Sequence, residues 1–400
     1  MFTLFILLLW LTACAGAGQV LPEVEPTPEA AATQAGGDEQ IASEGLCPEV
    51  PRPALVTKPG NGSESFLVVM SLDGEVVCEL TFPAPLGFGQ IMSGGESLFY
   101  EMRNEEAGSI TVWQLGPDGT HQPLDFTTTP IQESTLFYFV VSADGQKIAW
   151  ATAEQNAAAG GNLSTLQVAE VDGSNQVTLQ EGVRLVEGEQ TRHIEPMRFN
   201  ADNSTLFYAV QPDRRGGVWN AISGRYDNLY GIPVTGGEAE LLADCPSSAE
   251  LFLCIGDIAP DGSALALVDS NEGVVQIIGR DGEIINSVIP QATNYIGMPT
   301  FSPAGKLAFT SATLSEEEGM IVPAPGHISV LHAPYTGQAE TVFSDNGVST
   351  IMRWIDDEHL IYFHFYGQAS APAVVAVDDG EGELVASDLA SISNVVAVLN

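Results

Sequence analysis

Short runs of apolar residues, each bounded by turn-forming residues, recur along the chain from about residue 50 to its end. Residues 66–70 (FLVVM) and 135–141 (TLFYFVV) are two examples, rich in β-branched and aromatic side chains. Runs of this length and composition predict β-strands. No stretch shows the 3.6-residue spacing of an amphipathic helix. The pattern therefore predicts an all-β domain.

Two kinds of hairpin alternate along this domain. The first kind joins two apolar runs through a tight turn, and its six turns lie at Gly95, Asp144, Asp202, Asp261, Ala304 and Asp357. The second kind has seven turns, centred on Asp73-Gly74, Asp118-Gly119, Asp172-Gly173, Gly236-Gly237, Asp281-Gly282, Thr336-Gly337 and Asp379-Gly380. Asp-Gly suits a tight hairpin because glycine adopts positive φ without steric cost. One hairpin of each kind makes a four-stranded sheet, which is a propeller blade.

A motif of the form Ser-Pro-Asp-Gly-x-x-Ile/Leu-Ala-Phe/Trp accompanies the first kind of hairpin, most clearly at 142–150, 259–265 and 302–309. The repeat resembles the TolB-like and WD-type β-propeller repeats, although no copy ends a strand with the Trp-Asp dipeptide of eukaryotic WD repeats. The resemblance implies a β-propeller over residues 47–400. Seven blades result if the last strand, 394–399, joins the N-terminal segment in a shared blade, which removes exposed sheet edges. Six blades with an extra hairpin is the alternative.

The N-terminal sequence predicts an export signal. Residues 2–10 are almost all apolar and are followed by Leu11-Thr12-Ala13-Cys14; the run is too short for a permanent membrane span. The small residues before Cys14 resemble the lipobox of bacterial lipoproteins. That resemblance implies a signal peptide over 1–13, a diacylglyceryl lipid on Cys14 and an extracytoplasmic protein anchored to the bacterial cell membrane. The alternative is an ordinary cleaved signal peptide with a cysteine by chance, and the basic residues usual at a signal's start are missing.

Residues 14–46 are predicted to be the lipidated cysteine followed by a disordered linker. After Cys14 the segment holds six acidic and no basic residues, with a Pro/Glu stretch and an Ala/Gly/Gln stretch. Such a composition does not bury enough apolar surface to offset the entropy of ordering. We expect it to hold the domain away from the bilayer.

The whole chain is strongly acidic, with 13 Lys and Arg against 52 Asp and Glu and a formal net charge of -39. A surface this negative repels nucleic acid and anionic headgroups, so neither is an expected partner. The membrane is expected to be reached through the lipid alone.

Four cysteines remain when Cys14 is set aside. An even number in an oxidising compartment predicts disulfides. Proximity in sequence favours Cys47 with Cys78 and Cys245 with Cys254, while the other two pairings and four reduced thiols stay open.

The candidate binding site lies in the third complete blade. Six of the thirteen basic residues fall between Arg184 and Arg225, and aromatic residues are interspersed among them. Guanidinium groups and aromatic faces suit the recognition of carboxylates, sugars or protein side chains. The candidate binding residues are Arg214, Arg215, Trp219, Arg225 and Tyr226. Ordinary ion pairing with nearby Glu and Asp is the competing interpretation.

Catalytic motifs are missing from the sequence. There is no Gly-x-Ser-x-Gly, His-Glu-x-x-His or phosphate-binding glycine loop. Residues 356–359 with His364 do not form a metal pattern, since the two histidines lie five apart on a predicted strand and face opposite sides. We therefore predict no cofactor and no metal, and the missing motifs favour a binding protein over an enzyme.

The links between hairpins are longer than the turns within them, at 153–163, 182–195, 211–228, 244–253 and 312–326. Long loops on a rigid scaffold are a common place for binding, so we expect one elaborated face. The predicted function is binding or scaffolding of a protein, peptide or glycan through that face. The alternatives are a lactonase- or lyase-like propeller enzyme with a site at the channel mouth, or a structural subunit of an envelope complex.

Overall fold

The structure is a computed structural model. It describes residues 52–59, 66–83, 86, 90–131, 135–156, 161–187, 190–212, 228–244, 255–269, 272–291, 295–317, 320–345, 348–366, 369–378, 381–386 and 392–399. Contacts divide the chain into Met1–Gln40 and Ile41–Asn400, and every described residue belongs to the second unit. The predicted signal peptide, Cys14 and the linker lie outside the described residues. No helix in the described ranges has the length and apolarity needed to cross a membrane.

Thirty β-strands and one 3-10 turn, Asp125–Thr127, make up the described fold. The strands form seven antiparallel blades, each with four strands from the centre outward. Blade one contains β1 (Ala54–Pro59), β2 (Phe66–Met70), β3 (Val76–Thr81) and the C-terminal strand β30 (Ile392–Leu399). Blade two contains β4 (Ile91–Gly94), β5 (Ser97–Asn104), β6 (Ser109–Leu115) and β7 (His121–Pro123), with β8 (Thr129–Pro130) beside β6.

The middle of the chain forms blades three to five. Blade three contains β9 (Leu136–Val141), β10 (Lys147–Asn156), β11 (Gly161–Glu170) and β12 (Val177–Glu187). Blade four contains β13 (Gln190–Phe199), β14 (Thr205–Pro212), β15 (Asn228–Pro233) and β16 (Glu240–Asp244). Blade five contains β17 (Ile255–Ile258), β18 (Ala264–Asp269), β19 (Val274–Gly279) and β20 (Ile284–Val288).

The last two blades complete the ring. In blade six the inner strand is split in two: β21 (Tyr295–Ile296) and β22 (Thr300–Phe301), followed by β23 (Leu307–Glu317), β24 (Met320–Leu331) and β25 (Glu340–Asp345). Blade seven contains β26 (Val348–Trp354), β27 (His359–Tyr366), β28 (Ala369–Asp378) and β29 (Glu381–Ala386).

Blade one closes the ring by joining the two ends of the domain. β30 is its innermost strand and pairs with β1, with Ala54 opposite Leu399 and Val56 opposite Ala397. β2 and β3 complete the sheet. This confirms the predicted seven-bladed propeller and its shared blade, and the alternative of six blades is wrong.

The core consists of seven apolar clusters, one between each pair of neighbouring blades. Successive side chains of a strand point to opposite faces of its sheet, so one strand serves two clusters. On β14, Phe207 packs toward blade five and Tyr208 toward blade three. On β10, Ala149 and Trp150 divide in the same way between blades four and two. This arrangement explains why blade strands are apolar on both faces.

Three of the predicted long loops are strands. Residues 153–156 and 161–163 extend β10 and β11, 182–187 and 190–195 extend β12 and β13, and 312–317 and 320–326 extend β23 and β24. Backbone pairing continues as far as Asn156 with Gly161 and Glu317 with Met320. Strand ladders supply the hydrogen bonds that a long loop would leave unmade. In the two remaining links, residues 213–227 and 245–254 lie outside the described residues.

The extension of β12 and β13 also joins two blades. Val186 pairs with Thr191 and Glu187 with Gln190. Blades three and four therefore share one continuous eight-stranded sheet.

Candidate functional site

The two faces of the disc are built differently. In an antiparallel blade successive connections emerge on opposite sides, so the predicted tight turns of both kinds share one face, named here the turn face. The links between them emerge on the other, named the hairpin face. The extensions of β10–β11, β12–β13 and β23–β24 belong to the hairpin face, and so does the long hairpin of β27 and β28, in which Tyr366 pairs with Ala369.

Turns of the first kind bond to one another around the turn face. Gly95 N donates to Ala143 O (2.9 Å), and Ala201 N donates to Pro260 O (2.9 Å). Asn203 Nδ2 donates to Asp144 Oδ2 at 2.8 Å. These bonds connect blades two, three, four and five in series.

The Ser-x-Asp-Gly motif supplies the polar groups for these turns. Ser142 Oγ donates to Asp144 Oδ1 at 2.6 Å, and Gln146 N donates to the same oxygen at 3.0 Å. Partial burial raises the pKa of Asp144, but these bonds and the one from Asn203 outweigh it and hold the pKa below its usual range. The motif's carboxylate is therefore engaged in holding the turn and its neighbour, and it serves the fold.

Blades six and seven are joined by the carboxylate of Asp357. Its Oδ1 accepts hydrogen bonds from Ser302 Oγ and Ala304 N, both at 2.6 Å. Lys306 Nζ donates to the Asp357 backbone oxygen at 2.8 Å. Next to it, Asp356 accepts a hydrogen bond from its own turn at His359 N, and its Oδ2 lies 2.9 Å from His359 Nδ1. The carboxylates of Asp356 and Asp357 thus accept hydrogen bonds that hold a hairpin turn and the contact between two blades. No group of three or more metal-ligating side chains occurs in the described part of the chain.

The hairpin face contains a buried polar cluster between blades three and four. We call Tyr138, Ser164, Arg192, His193 and Glu195 the His193 cluster. The rings of Tyr138 and His193 stack with centroids 5.1 Å apart and planes 6° from parallel. Arg192 is 8% exposed, His193 1% and Ser164 0%. An aromatic ring and an imidazole therefore stack at one blade interface, and the buried Arg192 is adjacent to His193 in the chain.

Two strands set the geometry of the His193 cluster. β13 lies along the inner edge of blade four and packs against β9 and β11 of blade three. Ile194 N donates to Ser164 Oγ at 3.3 Å, which fixes the height of β13 against blade three. His193 then faces Tyr138 across the interface.

The cluster lies at the base of the predicted binding segment. On β14, Gln211 pairs with His193 and Pro212 pairs with Arg192. The chain returns at Asn228, which pairs with Val210. Arg214, Arg215, Trp219, Arg225 and Tyr226 belong to residues 213–227 and lie outside the described residues. The structure thus places both ends of the predicted segment beside the His193 cluster and leaves the five predicted residues a prediction.

The arginines of the basic stretch divide into different roles. Arg198 Nη1 donates to Ile258 O at 2.7 Å, and its Nη2 lies 3.7 Å from Asp257 Oδ2 of blade five. The same carboxylate oxygen accepts from Phe301 N of blade six at 2.8 Å. Arg198 therefore belongs to a polar connection between blades four, five and six, whereas Arg192 belongs to the His193 cluster.

Another histidine, His121, is partly buried at the outer edge of blade two. His121 Nδ1 is 2.7 Å from the hydroxyl of Tyr100, and the His121 ring packs edge-on against Phe82 with centroids 5.4 Å apart. Burial lowers the pKa of His121 and raises that of Tyr100. Both groups are therefore held neutral near pH 7 inside the interface between blades one and two.

Of the predicted disulfide cysteines, the structure describes Cys78 on β3, next to the cluster between blades one and two. Cys47, Cys245 and Cys254 lie outside the described residues. The pairing predicted from sequence stays a prediction.

No protein-family model matches the chain, and no curated protein matches it by sequence. Among solved structures it is similar to TolB from Acinetobacter baumannii, with 15% identity over 71% of this chain and 61% of that chain and a TM-score of 0.40. A protein from Lactobacillus plantarum is 13% identical over 87% of this chain and 98% of that one, with a TM-score of 0.49. An oligogalacturonate lyase in complex with manganese is 11% identical over 78% and 83%, with a TM-score of 0.45.

The chain spans about three fifths of the TolB chain that it matches. At these identities the likeness concerns the fold, which is a β-propeller with TolB-like proteins among its structural neighbours.

Proposed function

We propose that this protein is an exported, lipid-tethered β-propeller that binds a protein, peptide or glycan through its hairpin face. The observation that carries the proposal is the His193 cluster, in which the Tyr138 and His193 rings stack at that face and the buried Arg192 is adjacent in the chain. On the turn face the described turn carboxylates Asp144 and Asp357 already bond to their own turns or to the next blade. The extended hairpins of the hairpin face add surface that a ligand can contact.

The chemistry of the cluster narrows the kind of ligand. Guanidinium groups bind carboxylates in a planar fork, and aromatic rings stack on sugars and on apolar side chains. The chain has 13 basic residues and a net charge of -39, so a buried arginine is a rare group here. It supports a ligand that presents a carboxylate beside an apolar or sugar surface.

Trimming the extended hairpins tests the proposal. Ala153 pairs with Ser164, so 154–163 can be replaced by Asn-Gly, a two-residue hairpin turn. His364 pairs with Ala371, so 365–370 can be replaced in the same way. The matched control is Asp118→Ala, a change in an exposed turn of the turn face. Partners retained from envelope extract and from a glycan array are identified and then titrated with purified components.

We expect wild type and Asp118→Ala to bind the identified partner equally, and the trimmed variants to bind it at least tenfold more weakly. Equal binding by all four proteins would contradict a role for the hairpin face. Failure of wild type to retain any protein, peptide or glycan would contradict the proposed binding function itself.

The tether is the second part of the proposal, and it is supported by the lipobox-like residues that end in Cys14. We expect cells fed radioactive palmitate to label the wild-type protein and its Cys47→Ser variant, and to leave Cys14→Ser unlabelled and released from the membrane fraction. Label that persists in Cys14→Ser would exclude this cysteine as the attachment site.

A disulfide between Cys47 and Cys78 fits an exported protein. The two cysteines are 31 positions apart in the sequence. A cross-link over a segment of this length stabilises the folded state by about 3–4 kcal/mol in the chain-entropy model. Cys47→Ser and Cys78→Ser should therefore lower the free energy of unfolding by similar amounts, measured in urea, and the double variant should lose no more than either alone. Additive losses would argue for two separate roles.

A further inference from the structure

Strand β20 presents an exposed apolar edge at the rim of the disc. It is the outermost strand of blade five and pairs with β19 on one side. Ile284 is 58% exposed and Ile285 38%, and Ile289, directly after the strand, is 75% exposed. A free edge offers a row of backbone N–H and C=O groups that can pair with another strand.

The other outer strands carry groups that discourage such pairing. Charged side chains and proline protect sheet edges from association. The sequences of the other outer strands each hold at least one charge or proline: Glu79 in β3, Pro123 in β7, Glu181 in β12, Glu240 and Asp244 in β16, Glu340 and Asp345 in β25, and Glu381 and Glu383 in β29. β20 reads Ile-Ile-Asn-Ser-Val and has neither a charge nor a proline. Among the outer strands in the described ranges, it is the one whose sequence lacks both.

The edge is also held in place. Val288 is 7% exposed and packs in the cluster between blades five and six. Asn286 Nδ2 donates to Tyr335 O and to Gly337 O of blade six, both at 2.7 Å. Because β20 is already ordered, the conformational entropy lost on binding is that of the incoming strand, and the disc loses none.

The charges around β20 favour a basic partner segment over an acidic one. Asp281 and Glu283 are exposed just before the strand. Glu240 of blade four lies 3.5 Å from Arg280, so the nearest described base already faces a carboxylate. The chain's own linker is acidic, and a second copy has the same net charge of -39. Both are repelled, and a basic segment is attracted.

We propose that β20 is a docking edge for an extended segment of a partner protein. The segment adds to blade five as a fifth strand, with alternating apolar residues over Ile285 and Ile289 and with Lys or Arg beside Asp281 and Glu283. Main-chain hydrogen bonds supply affinity and the flanking charges supply specificity. This site lies on the rim and is separate from the hairpin face.

The test uses a fluorescein-labelled peptide, Val-Thr-Val-Thr-Val-Thr-Lys-Val-Lys, and its counterpart with glutamate in place of both lysines. Fluorescence anisotropy follows binding to the full domain. We expect Ile285→Lys and Ile289→Lys to weaken binding of the basic peptide at least tenfold, since each places a like charge on the edge. Val76→Lys is the matched control, because Val76 is 63% exposed on the outer strand of blade one.

The expected pattern is binding of the basic peptide by wild type and Val76→Lys, weak binding of the acidic peptide, and slowed amide hydrogen exchange over 284–289 in the complex. Equal binding by all variants, or an equal loss in Val76→Lys, overturns the proposal, as does no binding by wild type. Self-association of wild type that Ile289→Lys abolishes would assign the edge to a second copy instead. The variants with trimmed hairpins should bind the peptide as tightly as wild type does. A failure of peptide binding would therefore contradict the docking edge and leave the proposed binding function of the hairpin face unaffected.

Discussion

At the scale of single residues, the turn carboxylates show what the repeated motif does. Asp144 accepts hydrogen bonds within its own turn and from Asn203 of the next blade. Asp172, in a turn of the second kind, accepts from Ser174 N inside its own turn. The same residue type thus stabilises a single turn in one case and a blade interface in the other.

Asp144→Ala should therefore destabilise the domain more than Asp172→Ala. We expect Asp144→Ala to lower the free energy of unfolding by about 1 kcal/mol, since it removes a bond between blades as well as bonds of the turn. Urea denaturation of the two variants measures the difference. If both variants lose the same stability, the bond to Asn203 contributes nothing.

His121 makes stability depend on pH. Burial lowers its pKa in the folded state, whereas in the unfolded chain the value is about 6.5. Below about pH 6.5 the unfolded chain therefore takes up a proton more readily than the folded one, so stability falls as the pH drops. The loss levels off once the pH is below the folded-state pKa.

His121→Gln should reduce this loss between pH 7.5 and pH 5, measured as the urea midpoint at each pH. His332→Gln, at an exposed position, is the control and should keep the wild-type slope. His327 is also buried with a lowered pKa, so part of the slope should remain in His121→Gln. An unchanged slope in His121→Gln would rule out His121 as its source.

Part of the candidate site could be predicted from the sequence. The concentration of arginines between Arg184 and Arg225 includes Arg192, which the structure places in the His193 cluster. Tyr138 was not predicted as its neighbour, because it lies in another blade and 55 positions from His193 in the chain. Contacts of this kind depend on how two sheets are aligned, and no local pattern records that alignment.

At the scale of elements, two glycines distinguish the free-energy cost of a left-handed backbone from the free-energy cost of a clash with a neighbouring turn. Gly145 and Gly108 both have positive φ, at 72° and 61°. A Cβ on Gly145 would lie 2.5 Å from Gly94 O in the next blade, whereas one on Gly108 would meet nothing within 4 Å. At position 145 a side chain would clash with the neighbouring turn, so the contact between the two turns requires Gly145. At position 108 the positive φ of the turn itself favours Gly108.

We expect Gly108→Ala to cost about 1 kcal/mol, the usual penalty for a left-handed residue with a side chain. Gly145→Ala should cost a further 1–3 kcal/mol because the turns of blades two and three must move apart. Thermal and urea unfolding of the pair give the comparison. Equal losses would show that the turns are free to separate.

Hairpins were the most predictable elements. Their turns carry local signals, Asp-Gly above all, and each described turn falls between the strands that the pattern assigned to it. The extensions of β10–β11, β12–β13 and β23–β24 were predicted as loops because their sequences hold Gly, Glu and Asn and lack a clear alternation. Pairing of neighbouring strands overrides weak local preference at such positions.

At the scale of the whole molecule, closure of the ring depends on β30. Its pairing with β1 is the link that makes blade one a four-stranded sheet. Val398 and Leu399 are 4% and 2% exposed, and they pack in the clusters toward blades seven and two. Loss of this strand would expose the edge of β1 and open two apolar interfaces.

Deletion of 392–400 should abolish the cooperative unfolding transition, followed by circular dichroism, and should increase the hydrodynamic radius. A synthetic peptide covering 390–400 should restore the transition, since the missing strand pairs by backbone contacts that do not require a covalent link. A truncated protein that unfolds as wild type does would show that the ring holds without its closing strand.

The number of blades was predictable by counting hairpins, and closure followed from the unpaired strands at the two ends. β1 itself was not identified, because its sequence, Ala-Leu-Val-Thr-Lys-Pro, is short and ends in a proline. The joining of blades three and four into one sheet was not predicted either, since a connection between blades carries no repeat signal.

The register of β1 and β30 has a practical consequence for handling the protein. Ala54 lies opposite Leu399, at the position where every other blade has a turn of the first kind. Chain entry and chain exit therefore share the turn face. A tag or sensor surface joined directly before Arg52 or after Leu399 would therefore attach on the turn face. Such a direct attachment would leave the hairpin face accessible to solution.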